Sequence, residues 1–438
     1  MADTNPYLCF YGDDFTGSTD ALDALTAAGV AAVLILDPSQ DVLSQFPGVQ
    51  AVGLAGTTRA MSPTEMDKEL PQAFRWMADL KPRIIHYKVC STFDSSPETG
   101  SIGRAMEIGL TTLGGGSVPI VVGAPRLGRF VAFANLFARA GSAPTIHRID
   151  RHPVMARHPV TPMKEADLRL HLKAQTKIPI DHISIIDMEA GNWPVIDGDT
   201  RAILFDTVSA DQLTAIGNWL GKQSRDTPVF CIGSSAVETA LSPIMSAETR
   251  SVAPAPTENP SHRGPILVVS GSCSPVTARQ IDVAVGAGFT PIPVSAAALA
   301  NQEAWEEACT KATNTALAAL AGGRSAIVYT AHGEPDLDTR VGDARQRSEI
   351  ERRIGIGLGR ILSATLGSIK LNRVAVAGGD TSGTVTRALG VTALQIAAPI
   401  SPGAPLCSGL RRNGGRIEIA LKGGQMGSDD FFCRVRNR

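Results

Sequence analysis

Residues 11–25, YGDDFTGSTDALDAL, close one apolar run and open a helical one. Ahead of them lies YLCFY (7–11), a strand-like run. Behind them Ala21, Leu22, Leu25 and Ala28 recur at helical spacing, and Gly29 follows as a C-cap. VAAVLIL (30–36) then reads as the next strand. Strand, helix and strand form a βαβ unit, and right-handed crossovers assemble such units into parallel sheets. The turn between strand and helix carries Asp13 and Asp14. Adjacent carboxylates raise each other's pKa and repel approaching anions. One of them alone reads equally well as a helix N-cap; the pair together points to chemistry.

The same alternation continues outward. Strands are expected at 49–56, 83–89, 118–124, 201–207 and 228–233, with helices near 63–79, 98–112 and 210–222. Residues 150–175, rich in His and Pro, read as loop followed by helix. SAETRSVAPAPTENPSHRGP (246–265) has no apolar periodicity and reads as a linker. A second series follows: strands at 266–271, 290–295, 325–330, 373–379, 393–397 and 416–424, and helices near 275–287, 301–321, 345–366 and 382–389. The expected fold is two α/β domains, each with a mainly parallel sheet flanked by helices. The expected boundaries are 1–245, a linker at 246–264, and 265–438.

Composition narrows the function. The chain has 438 residues, too many for one ordinary core. Its formal net charge is −1 with no basic block, and aromatics are 5%, so nucleic acid is not an expected partner. No apolar run approaches the roughly 20 residues a membrane helix needs, and the N-terminus has no secretion signal. Seven cysteines, widely spaced and without C-x-x-C, read as reduced thiols, so a cytoplasmic location is expected. A homodimer is left open.

Open parallel sheets bind ligands beyond the carboxyl ends of their strands. In the first half those ends read GDDFTG (12–17), GTTR (56–59), KVCSTFDSS (88–96), GAPRLGR (123–129) and GSS (233–235). Arginine and lysine suit an anionic ligand, while hydroxyls and aspartates suit a polyol. A small sugar acid combines both. In the second half SGSCSP (270–275), AHGEP (331–335), GGDTSG (378–383), SPGAP (401–405) and KGGQMG (422–427) follow strands. Glycine-rich turns that open helices expose N–H groups to phosphates. No G-x-x-x-x-G-K-[ST] is present, so a P-loop is excluded.

Other features read as structural. GIGLGR (355–360) has the look of a dinucleotide fingerprint but lies inside a helical pattern, so Gly355 and Gly359 are expected to serve close helix packing. His147, His152 and His158 have no i, i+4 pairing that would suggest zinc. Ser272 and Ser274 are not in a G-x-S-x-G elbow.

DDFTGSTD, YKVCST, GSCSPVTARQI, GGDTSG and ALKGGQMGSDDFF together resemble the four-carbon acid sugar kinase family, in the family's order and over nearly the whole chain. The resemblance implies an ATP-dependent kinase with an acid-sugar domain followed by a nucleotide domain. Family substrates include threonate, erythronate, 3-oxo-tetronates and, in a related branch, 3-oxo-isoapionate. By motif match, Asp13, Asp14, Lys88, Ser91 and Thr92 fall in the substrate site. Ser270, Gly378, Gly379, Asp380, Thr381 and Gly424 fall in the nucleotide site.

Two departures stand out. Asp94 occupies a position where the family usually has arginine, and Gly12 replaces a more usual alanine. Asp94 is therefore expected to alter which acid is bound, with Arg59, Arg126 or Arg129 as candidates for the missing cation. A branched or oxidised acid becomes a serious candidate substrate. The expected reaction moves the γ-phosphoryl of ATP to a hydroxyl, with Asp14 as base and Asp13 orienting the substrate, the reverse order remaining open. Mg²⁺ is expected to bridge the phosphates through water held by Asp380, and domain closure is expected to matter. The rival readings are a nicotinamide-dependent oxidoreductase and a non-catalytic sugar-acid sensor.

Overall fold

The structure is a computed structural model. It describes residues 5–38, 41–140, 144–158, 160–196, 198–248, 264–333 and 344–438, and for 344–348 and 380 the main chain alone. Most of the expected linker, and the last two residues of AHGEP, lie outside the described residues. The chain forms two compact units. Unit 1 is Met1–Leu34 with Leu43–Pro254, and unit 2 is Ile35–Val42 with Ala255–Arg438.

In unit 1 the strands are β1 (Leu8–Gly12), β2 (Ala32–Ile35), β3 (Ala51–Ala55), β4 (Ile84–Lys88), β5 (Ser117–Val121), β6 (Arg129–Ala132), β7 (Asn135–Arg139), β8 (Ile146–Arg148), β9 (Ile180–Ile183), β10 (Arg201–Phe205) and β11 (Val229–Gly233). The large sheet runs β2-β3-β1-β4-β11-β5-β10-β9. Its pairings from β3 through β9 are parallel. β1 and β4 are buried at every position, as parallel strands covered on both faces must be. Sequence order reverses at β1, because β2 and β3 lie on one side and β4 on the other. That makes β1 a topological switch point, where ligands bind in open α/β sheets. Ala55, Gly12, Lys88 and Gly233 stand abreast at the strand ends there.

Local signals explain the flanking helices. α1 (Phe15–Ala27) starts at Asp14, whose side chain accepts from the Gly17 amide. α2 (Pro63–Asp79) has Pro63 in its first turn and a Ser62–Glu65 capping box. α3 (Ile102–Leu113) starts at Ser101 and ends at Gly114, φ +107°. Between α2 and the sheet, Tyr11, Tyr87, Phe74 and Phe230 form a chain of ring contacts.

One part of unit 1 departs from the expected alternation. β6, β7 and β8 form a separate antiparallel sheet. Its tight turn, Phe133–Ala134, adopts φ +49° and +65° without glycine. Asp206, just past β10, holds the turn by accepting from the Phe133 and Ala134 amides at 2.8 and 2.9 Å. The same carboxylate bonds His182 Nε2 at 2.8 Å and the Ile185 amide at 3.1 Å.

In unit 2, β12 (Leu267–Ser270), β13 (Thr290–Pro293), β14 (Ala326–Tyr329), β15 (Arg373–Ala377), β16 (Val391–Ser401), β17 (Ala404–Arg411) and β18 (Arg416–Lys422) run in the order β13-β14-β12-β15-β18-β17-β16. The first five are parallel; β17 and β16 are antiparallel additions. The sequence reading had a strand end at 401–405 and no β17. Order reverses at β12, a second switch point. Ser270, Ala377 and Lys422 stand abreast at its rim. The GIGLGR glycines do lie in a helix: added Cβ atoms at Gly355 and Gly359 would come within 3.0 Å of Thr384 and 2.8 Å of Ala388. Arg373, fully buried, bonds Glu418 at 2.7 Å and the Val435 carbonyl at 2.9 Å, tying the helix Phe431–Asn437 to the sheet. Among the described residues no helix is long and apolar enough to cross a membrane.

Candidate active site

The first rim is built around Asp13 and Asp14. Main-chain bonds fix the turn: the Asp13 amide donates to the Lys88 carbonyl, and the Arg59 amide donates to the Asp13 carbonyl. Gly12 has a local reason. A methyl there would lie 1.9 Å from Ser18 Oγ, which instead donates to the Asp14 carbonyl at 2.7 Å.

Arg59 resolves the like-charge conflict. Its guanidinium grips Asp13 through Nε (3.1 Å) and Nη2 (2.8 Å), and Nη2 also lies 2.9 Å from Asp14 Oδ1. Burial pushes the Asp13 carboxyl above its ordinary pKa, against the pull of Arg59 and with Asp14 adding to the rise. The two aspartates are not equivalent. Asp13 is buried with both oxygens held by Arg59. Asp14 is one-fifth exposed, and its Oδ1 takes the Gly17 amide and Arg59. Asp14 Oδ2 bonds no partner among the described residues. Lys88 is buried beneath, with Nζ donating to the Val89 carbonyl at 3.0 Å. Its ammonium would lie 2.9 Å from a methyl added at Gly17, and Asp14 Oδ1 2.4 Å from it.

The segment after β4 folds tightly. Phe93 is fully buried at φ +56°, a left-handed conformation that non-glycine residues seldom adopt. This turn sets Thr92 to donate to Asp94 Oδ1 at 2.5 Å, close to Cys90. Thr161 reaches Asp94 Oδ2 at 3.4 Å and His158 Nδ1 at 3.0 Å. Burial works to raise the Asp94 carboxyl, but Arg59, the Thr92 hydroxyl and His158 together hold it below the usual range. Asp94 thus keeps its charge and is satisfied by neighbouring hydroxyls. Ser91 is half-buried in the same turn. Beside it His171, joined to Ser95 at 2.8 Å, is driven down to about 4 by burial and stays neutral.

The three candidate arginines have different fates. Arg59 is committed to the aspartates. Arg126 pairs with Asp20 at 3.0 Å and Ser235 at 3.1 Å. Arg129, at the start of β6, has no carboxylate partner among the described residues. Its Nη1 donates to the Leu127, Gly128 and Arg139 carbonyls, while the buried Nε has no partner. Burial lowers its pKa, only partly offset by the Cys90 thiol nearby. The arm that carries it is the hairpin pinned by Asp206.

The second rim lies in unit 2. Gly378 has φ +122°, and a Cβ there would come within 2.9 Å of Thr381 Oγ1. A Cβ at Gly271 would meet the same hydroxyl at 2.4 Å, and one at Gly424 would meet Ser272 Oγ at 2.8 Å. At all three turns a side chain would press on a hydroxyl packed into the rim, and at Gly378 the backbone conformation itself favours glycine. Ser270 is buried at the end of β12, and Gly379 opens the helix Gly379–Ala388. The Asp380 side chain lies outside the described residues. One residue here was missed: Lys422, 1% or less from full burial by its neighbours, whose Nζ donates to Thr277 Oγ1 at 2.9 Å and the Gly424 carbonyl at 3.4 Å. Its only signal was a lysine immediately before two glycines at a strand end.

Each α/β unit thus carries one rim at its switch point, an aspartate–arginine turn in the first and a set of glycine turns in the second. Comparison with known proteins gives the class, a two-domain sugar kinase. A sequence profile described as a sugar-binding N-terminal domain matches residues 8–241, and one described as a nucleotide-binding C-terminal domain matches 267–432. A 3-oxo-isoapionate kinase of Paraburkholderia graminis is 42% identical, with 98% of this chain and 94% of that protein covered. A 3-oxo-tetronate kinase of Pseudomonas fluorescens is 29% identical, covering 99% and 97%. A crystal structure of a Salmonella typhimurium protein described as a tRNA synthase superposes with TM-score 0.75 at 25% identity, over 98% of each chain. The kinase names of the relatives do not share that description. The chain belongs to the four-carbon acid sugar kinase family. It is a sugar-acid kinase, which sets aside the oxidoreductase and sensor readings.

Proposed function

We propose that this kinase uses ATP to phosphorylate a branched or oxidised sugar acid of the 3-oxo-isoapionate type. The observation that carries the proposal is the contrast among the arginines: Arg59 and Arg126 are neutralised by aspartates, while Arg129 is a partly buried guanidinium with no acidic partner among the described residues. A substrate carboxylate is the natural complement of such a group. The 42% identity to a 3-oxo-isoapionate kinase supports the choice of acid.

In this reading Asp14 is the base. Its Oδ2 accepts the proton of the substrate hydroxyl as that oxygen attacks the γ-phosphorus of ATP and ADP departs. Asp13, locked to Arg59, holds the guanidinium against Asp14 Oδ1 and leaves Oδ2 to face the substrate. Lys88, Ser91, Thr92 and Asp94 contribute the remaining polar contacts to the acid, with Asp94 fixing the Thr92 hydroxyl. Ser270, Gly378, Gly379, Thr381 and Gly424 hold the nucleotide. Mg²⁺ enters with ATP as part of the substrate complex, and Asp380 is the carboxylate expected to meet it. Mg²⁺ ordinarily keeps several waters and uses one or two carboxylates plus phosphates.

The test is ADP release with Mg²⁺ and ATP over D- and L-threonate, erythronate, their 3-oxo forms and 3-oxo-isoapionate. The proposal expects the highest kcat/KM on 3-oxo-isoapionate. A preference for an unbranched four-carbon acid would overturn the substrate assignment.

A further inference from the structure

Among the described residues Lys422 has no carboxylate partner. It ends β18, abreast of Ala377 and Ser270, at the rim where the three glycine turns meet. Its ammonium carries three N–H donors. Two are used, on the Thr277 hydroxyl and the Gly424 carbonyl, both neutral. Among the described residues none supplies a carboxylate to it. A buried charge is ordinarily paired, because desolvating an ion without a partner is strongly unfavourable.

The fold does not need this charge. Thr277 Oγ1 already donates to the Gly424 carbonyl at 3.0 Å and contacts Ser272 Oγ at 3.0 Å, so the turn is held without the ammonium. The Thr277 hydroxyl links Nζ to the Ser272 hydroxyl, which lies 2.8 Å from where a Gly424 Cβ would sit, so the ammonium is joined through two hydroxyls to the glycine turn. An anion seated on the glycine turns would complete the missing half of the pair.

We infer that Lys422 is the built-in counter-charge for the polyphosphate of the nucleotide, acting from beneath the turns of Gly271, Gly378 and Gly424. The inference rests on the reading of this rim as the nucleotide site. It makes a distinction that reading does not: Lys422 discriminates phosphate-bearing ligands from the bare nucleoside and contributes nothing to recognition of the base or ribose.

Isothermal titration of the full chain with ATP, ADP and adenosine tests it, using Lys422→Met and Lys422→Gln. Methionine keeps the volume and removes the charge; glutamine keeps N–H donors and removes the charge. Both variants should weaken ATP and ADP by about tenfold to a hundredfold, the range of a charge-assisted contact, with adenosine affinity unchanged. At pH 6, where Lys422 is charged, Lys422→Met should also melt higher than the parent without ligand, because an unpaired buried ion has gone; a purely structural lysine would do the opposite. ATP and ADP affinities within twofold of the parent in both variants would overturn the inference, as would an equal loss on adenosine. If the parent itself bound neither ATP nor ADP, the nucleotide-site reading would fall instead, a result visible before any variant is made.

Discussion

Arg59 binds Asp13 through two nitrogens and reaches Asp14 with one of them, so a single guanidinium holds adjacent carboxylates in different roles. Asp13 is spent on the arginine, whereas Asp14 keeps one oxygen available. The two aspartates should therefore fail differently. Asp14→Asn should fold normally and lose about 10²–10⁴-fold in kcat, the usual contribution of a general base. Asp13→Asn should lower stability by about 3 kcal/mol, as expected when one partner of a buried pair is removed. Urea denaturation beside steady-state kinetics separates the two; equal stability loss in both variants would sink the assignment.

Arg129→Met should raise KM for the sugar acid about tenfold to a hundredfold, since a charge-assisted carboxylate contact is lost. KM for ATP should stay within twofold. Arg126→Met, which breaks an ion pair with Asp20, should affect the acid much less. A larger effect at Arg126 than at Arg129 would exchange their roles.

Gly378 sits at φ +122°, ψ +134°, outside what an L side chain adopts without strain. Gly378→Ala should lower stability by about 1–3 kcal/mol and abolish measurable ADP binding, because the new methyl meets Thr381. Thermal melts with and without ADP check both effects. A stable variant with normal ADP binding would show that this turn does not carry the nucleotide.

Lys422 gives a pH signature. Burial brings its pKa down from 10.5 to about 7. Between those values the unfolded chain binds a proton that the folded chain releases, so this group makes stability rise with pH across that window. The total is on the order of a few kcal/mol. In Lys422→Met that rise should be absent, so the difference between the parent and variant melting curves should change steadily over pH 7–9.5, measured without ligand. Parallel curves would mean the lysine is not desolvated as described.

Much of this arrangement is local and so could be read from the chain. Asp13 and Asp14, Lys88 and Thr92, and Gly378 and Gly424 each lie at a strand end or within four residues of one, and the parallel sheet brings strand ends together. What stayed hidden depends on distant partners. The Phe133–Ala134 turn has no glycine or asparagine to announce it, because Asp206, more than 70 positions on, imposes its shape. Asp94 reads as a rim charge facing ligand, yet both its oxygens accept from threonines, one of them on a separate segment. Which arginine is left unneutralised cannot be read from spacing, because it depends on Asp20 and Asp13 being in reach of the other two. Lys422 looks like one more surface lysine until the strands on either side bury it.

Asp206 holds the β6–β7 turn through main-chain amides, not through any side chain of the turn. The identity of residues 133 and 134 is thereby largely freed from the task of shaping the loop. Such a clasp fixes the main chain of the arm from the end of β10, so side-chain changes at 133 and 134 should leave the placement of Arg129 intact.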